Sequence, residues 1–130
     1  MYSSKFALGT TPIAALGLVL LGIACGPKVT APAPGPVTPA TVAAAQGGSG
    51  SAPSQADLEE GRTAFVAKCN GCHGYPDLVA IKESEWSHII DEMGGKSDFD
   101  AKTKQKVLQF VLAARAERAA AAPAPAASAK

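Results

Sequence analysis

The sequence has few aromatic residues and almost no net charge. Only 5% of its 130 residues are aromatic although 47% are hydrophobic, and alanine accounts for most of the difference. Because an alanine side chain buries little area, this apolar fraction does not indicate a large core. The 12 basic and 11 acidic residues leave a formal net charge of +1, which excludes a nucleic-acid binder driven by charge. A chain of this length forms one domain at most.

Cysteine is also scarce. The chain has 3 cysteines, Cys25, Cys69 and Cys72, and an odd number excludes a fully paired disulfide framework. Proline and glycine lie largely outside one central stretch, residues 57–118. That stretch is therefore the candidate for the folded domain.

Residues 1–24 have the pattern of a secretory signal peptide. A single charge, Lys5, precedes a wholly apolar run at residues 13–24. The run is too short to span a bilayer with ease and fits the apolar region of a signal peptide better than a membrane helix. We therefore expect the protein to be exported.

The apolar run ends in Gly22-Ile23-Ala24-Cys25, which resembles the lipobox of bacterial lipoproteins. The resemblance implies that Cys25 becomes the lipidated N-terminus and holds the protein on the periplasmic side of a bacterial membrane. Bacterial lipoproteins carry more than one acyl chain, which gives stable anchoring. Gly26, the next residue, is more typical of sorting to the outer membrane than of retention at the inner one. The alternative is ordinary signal cleavage beside an incidental cysteine.

The segments on either side of the central stretch predict little structure. Residues 26–56 consist mainly of proline, alanine, glycine, serine and threonine, and they contain no aromatic residue. Such a segment buries too little apolar surface to offset its chain entropy, so we expect residues 25–56 to be the lipid anchor and a disordered tether. In the tail, residues 119–130, we expect the alanines to prolong the last helix until Pro123 stops it.

The central stretch predicts an all-α domain with three helices. Apolar residues recur near helical spacing, and the expected helices cover residues 57–69, 84–93 and 100–118. No segment alternates convincingly as a strand. Large apolar side chains are few, and a domain of this size usually needs a covalent cross-link or a bound metal to be stable.

Residues with capping preferences set the expected ends of the second and third helices. Ser84 is the predicted N-cap of the second helix, and Gly94-Gly95 is its predicted stop. Ser97 and Asp100 have the spacing of a capping box, which predicts the start of the third helix.

Residues 69–73, Cys69-Asn70-Gly71-Cys72-His73, form the C-x-x-C-H motif that attaches a c-type haem. In such a site the two thiols add to two vinyl groups of haem as thioethers, and the histidine binds the iron. Covalent attachment of haem takes place outside the cytoplasm, in agreement with the predicted signal peptide. The motif therefore predicts one covalent haem c, with Cys69 and Cys72 as its attachment points and His73 as an axial ligand.

Three other interpretations of the motif remain open. A thioredoxin-like redox pair places C-x-x-C in a βαβ unit, whereas the flanks here are helical. A zinc site needs four ligands, and His88 is the available fourth beside Cys69, Cys72 and His73. A structural disulfide between the two cysteines is the third interpretation.

Residues 58–74 resemble the N-terminal helix and haem-binding turn of class I cytochromes c. In that family a glycine lies four residues before an aromatic residue, and both precede C-x-x-C-H-G. Gly61, Phe65 and Gly74 match these positions. The resemblance implies that Gly61 lets the first and last helices of the domain cross closely, with Phe110 of the last helix as its partner.

The second axial ligand has two candidates, Met93 and His88. At 100° per residue, Met93 lies within about 20° of Trp86 on an apolar stripe with Ile89 and Ile90, whereas His88 lies about 160° from Trp86. We therefore predict Met93 as the ligand; its other interpretation is core packing. The W-x(6)-M spacing is similar to that of some short bacterial cytochromes. Trp86 either packs on the haem or donates to a propionate, or it is a core residue.

The predicted function is single-electron transfer by a small cytochrome c tethered to a membrane. No catalytic base or nucleophile is apparent, so we expect no enzymatic activity. The expected partners are redox proteins, together with the membrane through the lipid. A haem-based ligand sensor and a haem subunit of a larger redox complex are the alternatives.

Overall fold

The computed structural model describes residues 30–47 and 51–122. The predicted signal peptide and Cys25 lie outside the described residues, as does most of the predicted tail. The described residues form four α-helices: α1 (Pro39–Gln46), α2 (Gln55–Lys68), α3 (Trp86–Lys96) and α4 (Ala101–Ala121). They contain no β-strand, so the predicted all-α class is confirmed for this part of the chain, although it has four helices instead of three. No described helix is both long enough and apolar enough to cross a membrane.

The long helix α4 lies at the centre, and α1, α2 and α3 each pack on it. Its inner positions are buried: Val107, Phe110, Val111, Ala113 and Ala114. As predicted, the alanines that follow residue 118 prolong α4, which ends at Ala121. This arrangement makes α4 the common support of every other helix.

The helix α2 begins two residues before its predicted start because Ser54 and Asp57 cap it reciprocally. The Ser54 hydroxyl accepts from the Asp57 N–H at 3.1 Å, and the Asp57 carboxylate accepts from the Ser54 N–H at 3.4 Å and from the Ser54 hydroxyl at 2.6 Å. Lys106 of α4 also pairs with Asp57, at 3.0 Å. The hydrogen bonds from Ser54 and then from Lys106 lower the pKa of Asp57 from 3.8 to about 2.

The close crossing predicted at Gly61 is confirmed. Gly61 is buried where α2 meets α4. A Cβ atom at this position would overlap the backbone carbonyl of Lys106 and would lie 3.1 Å from the Phe110 Cβ. The rings of Phe65 and Phe110 then meet with centroids 6.1 Å apart. The two helices can approach this closely only because residue 61 has no side chain.

The predicted bounds of the second helix are wrong at both ends. Ser84 lies in a 3₁₀ turn before α3, and α3 has no side-chain cap. Gly94 and Gly95 do not stop α3, which continues to Lys96. A glycine ends a helix by taking a left-handed φ, but the residue that does so here is Asp98, with a φ of 58°. Gly94 is instead buried against α4, where a Cβ atom would lie 3.0 Å from Lys104 Cγ.

The predicted capping box before α4 is only half formed. Asp100 caps the helix, and its carboxylate accepts from the Thr103 N–H at 2.7 Å. Ser97 belongs to the end of α3, where its N–H donates to the carbonyls of Met93 and Gly94. The helix α4 therefore begins at Ala101, close to its predicted start.

The prediction that residues 26–56 are disordered is wrong for residues 55–56, which belong to α2, and for residues 30–46. These residues are ordered, and they include α1, whose Thr41 is only 1% exposed. Thr38 caps α1 and Pro39 occupies its first position, a favourable helix start. The segment has too few large apolar side chains and is too short to fold alone. Contacts with α4 supply the stabilisation that its own composition lacks.

Candidate cofactor site

The C-x-x-C-H turn (residues 69–73) follows directly from the last turn of α2. Cys69 is the C-cap, and its N–H donates to the Phe65 carbonyl at 2.9 Å. Cys69 is half-buried and packs against the core, whereas Cys72 and His73 are exposed. Both thiols are free. The turn thus presents one thiol beside the core and one thiol and an imidazole at the surface.

Tyr75 ties the chain that leaves the turn back to α2. Its hydroxyl donates to the Val66 carbonyl at 2.8 Å. Its ring stacks on Phe65, with centroids 6.0 Å apart. The reversal that brings Tyr75 there requires a φ of 77° at Gly74, a conformation that glycine adopts without strain. Tyr75 and Gly74 therefore hold the turn from its C-terminal side.

The environment of Cys69 does not activate its thiol. Burial raises the pKa of Cys69. The residue also lies at the C-terminal end of α2, where the helix dipole disfavours a negative charge. Reactive cysteines of thioredoxin-like proteins have a lowered pKa, often at a helix N-terminus. The arrangement argues against the interpretation as a thiol–disulfide redox pair.

The imidazole of His73 is held in one tautomer. Its Nδ1 lies 3.1 Å from the Gly74 carbonyl oxygen. Because a carbonyl oxygen only accepts, a hydrogen bond at this contact places a proton on Nδ1, and in the neutral imidazole the lone pair of Nε2 is then free. An imidazole that donates from one nitrogen to a carbonyl is prepared to bind a metal with the other.

The apolar stripe predicted on α3 is confirmed. Trp86 and Ile90 are buried, and Ile89 and Met93 form a half-buried flank next to them. The side chain of His88 is 84% exposed and lies 3.9 Å from Glu92. Of the two candidate ligands, Met93 therefore lies on the apolar side of α3 and His88 on the solvent side.

Trp86 is fully buried, yet its indole Nε1 has no hydrogen-bond partner among the described residues. A buried N–H without an acceptor costs about 1–3 kcal/mol, so such groups normally have a partner. The indole N–H is a donor suited to a carboxylate such as a haem propionate. This orphaned donor and the ligand chemistry of the turn each fit the requirements of a haem.

The described residues do not form a site for a bare metal ion. No three histidine, cysteine, aspartate or glutamate side chains among them converge at metal-binding distance. The structure therefore does not bring together the four residues considered as zinc ligands, which are Cys69, Cys72, His73 and the solvent-exposed His88. A covalent haem has a different requirement, because the cysteines bind the edge of the ring and not its metal.

Sequence reasoning missed the contacts of residues 30–46 with the turn. The Ala31 N–H donates to the Tyr75 carbonyl at 3.2 Å, and the two residues form an isolated antiparallel bridge. The side chain of Thr30 lies against Gly74. The threonine–proline pair that starts α1 was the available signal of order, but nothing in the sequence indicates what these residues contact.

Comparison of the chain with models of known families, with curated proteins and with solved structures finds no match.

Proposed function

We propose that this protein is an exported, membrane-tethered carrier of single electrons that holds one covalent haem c on the C-x-x-C-H turn. The observation that carries the proposal is the turn itself. It combines two free thiols at the required spacing with an imidazole whose Nδ1 is engaged by the Gly74 carbonyl.

In this proposal Cys69 and Cys72 would form the two thioethers, and His73 and Met93 would bind the iron. The bound haem would supply an Fe(III)/Fe(II) couple that accepts and releases one electron. Each protein residue then has a defined task. The cysteines fix the position of the ring, His73 binds through Nε2, and Met93 approaches from α3.

The half-buried flank of α3 supports the role of Met93. Ile89 and Met93 are the apolar side chains of α3 that remain half-buried, whereas Trp86 and Ile90 are buried. A thioether ligand stabilises the ferrous state and raises the reduction potential compared with a second histidine. Trp86, with its buried indole N–H, is the proposed donor to a propionate.

Expression of the full chain in a bacterial host that matures c-type cytochromes tests the proposal. We expect a protein whose mass includes one haem and whose spectrum is low-spin in both oxidation states. The matched control replaces Cys69 and Cys72 with serine and should carry no covalent haem. Purified wild-type protein without haem would refute the proposal. A high-spin ferrous form that binds carbon monoxide would favour the ligand sensor instead.

The membrane anchor is tested separately. We propose that Cys25 carries the lipid and that the domain lies on the periplasmic side, with the outer membrane favoured. The wild-type protein should fractionate with membranes, and mass spectrometry of its N-terminal fragment should show acylation. The Cys25→Ser variant should be soluble. An unmodified N-terminus beyond Ala24 in the wild type would contradict lipidation.

A further inference from the structure

The described part of the chain begins at Thr30, five positions after the proposed lipid site Cys25, and this first part lies beside the C-x-x-C-H turn. Thr30 packs on Gly74, the neighbour of His73. Ala31 forms its backbone hydrogen bond with Tyr75 at 3.2 Å. The first described residues of the chain thus contact the residues that immediately follow the turn.

The next residues are bound to α2 through Arg62. Its Nε donates to the Gly35 carbonyl at 2.6 Å, and its Nη2 donates to the Pro34 carbonyl at 3.2 Å. Pro34 is buried, and Val37 packs against the core. These contacts hold an extended segment that has no helix of its own.

The helix α1 completes the attachment at Glu117 of α4. The Thr38 and Thr41 hydroxyls donate to its two carboxylate oxygens, at 2.8 Å and 2.6 Å. The buried hydroxyl of Thr41 makes this pairing specific, because its shortest hydrogen bond is the one to the Glu117 carboxylate. Residues 30–46, which we call the strap, are therefore bound at both ends and in the middle.

We infer that the strap holds the lipid-bearing end of the chain beside the C-x-x-C-H turn, so that this side of the domain faces the membrane. The inference rests on the proposed lipidation of Cys25. Only four residues lie between Cys25 and Thr30, and the five Cα–Cα steps from one to the other span at most about 18 Å in an extended chain. A free tether over residues 26–56 would instead average roughly 30 Å and reach about 95 Å when extended.

The short connection between Cys25 and the docked strap has a functional consequence. A domain on a long flexible tether rotates freely and presents its redox site to soluble proteins as readily as to membrane proteins. With the strap docked, the turn stays within the layer next to the lipid headgroups. Its electron partner is then a protein held in the same membrane, with a redox site close to the surface.

Nitroxide labels on the haem-loaded lipoprotein test this orientation. Cysteines are introduced at Ala67 and at Gln55, two exposed positions near opposite ends of α2 and about 18 Å apart along its axis. The protein is placed in phosphatidylethanolamine–phosphatidylglycerol vesicles that contain a nickel-chelating lipid, with the iron reduced. We expect the nickel to relax the label at residue 67 several-fold more strongly than the label at residue 55.

Two insertions of the same ten-residue Gly/Ser sequence provide the matched control. Insertion after Lys28 lengthens the connection between Cys25 and the strap, and should remove the difference in nickel relaxation between the two labels. Insertion within residues 48–50 lengthens the connection between α1 and α2, leaves the strap docked, and should preserve the difference. Equal relaxation of the two labels in the uninserted protein would overturn the inference, as would an insertion after Lys28 without effect.

Hydrogen exchange separates this inference from the proposed function. In the full-length protein in detergent, the amides of α1 should exchange much more slowly than in a free peptide of the same sequence. Rapid exchange there would refute the strap even in a lipidated, haem-loaded protein. If α1 is protected but the protein fails to bind vesicles, the lipid proposal fails, and the orientation at the membrane fails with it.

Discussion

Replacing Gly61 with alanine tests the closeness of the α2–α4 crossing, and two opposing effects decide its sign. In a helix interior, alanine is favoured over glycine by about 1 kcal/mol. At Gly61, however, the new Cβ atom would lie 2.6 Å from the carbonyl carbon of Lys106, well inside the ordinary contact distance of 3.4 Å or more. The obstacle is backbone, which cannot rotate away as a side chain would.

Relief of the clash requires α2 and α4 to separate by more than about 0.8 Å, because the Lys106 carbonyl oxygen would lie still closer to the new Cβ atom than the carbonyl carbon does. That movement loosens the contacts of Leu58 and Phe65 with Phe110, all of them buried. Overpacking of a core costs about 1–3 kcal/mol, and the clash with backbone places Gly61→Ala at the upper end of this range. After the gain in helix propensity, we expect a net loss of about 2 kcal/mol in the free energy of unfolding.

Gly95→Ala is the matched control, because it has the same chemistry in α3 and lacks the clash. The new Cβ atom would meet only the flexible end of Lys104, at 3.9 Å. We expect this variant to be more stable than the wild type by about 0.5–1 kcal/mol. Urea unfolding of the haem-loaded proteins, followed by circular dichroism, measures both. If Gly61→Ala is as stable as the wild type, the close crossing is refuted.

Three further predictions concern the iron ligand, the strap and acid pH. Met93→Ala should open the sixth position to imidazole or cyanide and lower the reduction potential, whereas His88→Ala should leave the low-spin spectrum unchanged; the reverse result would indicate two histidine ligands. Thr41→Val removes a buried hydroxyl from the Glu117 carboxylate and should cost about 1.5–3 kcal/mol in the free energy of unfolding, and a neutral effect in urea unfolding would argue against a docked α1. Because folding lowers the pKa of Asp57 from 3.8 to about 2, its stabilising contribution is present above pH 4 and is lost as the pH falls toward 2, so Asp57→Asn should unfold with a shallower pH dependence in that window. An unchanged slope would contradict that contribution.

Local patterns were sufficient to predict α2, α3 and α4 and the C-x-x-C-H motif, but not α1. The periodic apolar residues of α2, α3 and α4 predicted each helix, because a helix buries residues at fixed spacing. The same spacing separated Met93 from His88, and the exposure of His88 confirms that separation. At Gly61 and Phe110, a resemblance carried by a few residues predicted a contact that the structure contains. The attachment of haem stays a prediction.

The ends of α3 show where local reasoning fails. Gly94-Gly95 has the composition of a helix stop, yet in the structure α3 continues through both glycines, which lie against the Lys104 side chain of α4. Helix termination depends on φ at the last residues, and packing against α4 determines that angle more strongly than composition does. The positive φ at Asp98 could not be inferred from the neighbouring glycines.

The sequence by itself determined the helical class, the C-x-x-C-H turn and the apolar side of α3, since each depends on residues near one another in the chain. Only the tertiary structure decided that residues 30–46 form a strap. Thr41 and Glu117 lie 76 positions apart, so neither reveals its partner through spacing or composition. A proline- and alanine-rich segment is disordered when judged by its own apolar content. It becomes ordered here because α4, Arg62 and Tyr75 supply the buried surface and hydrogen bonds that offset its chain entropy.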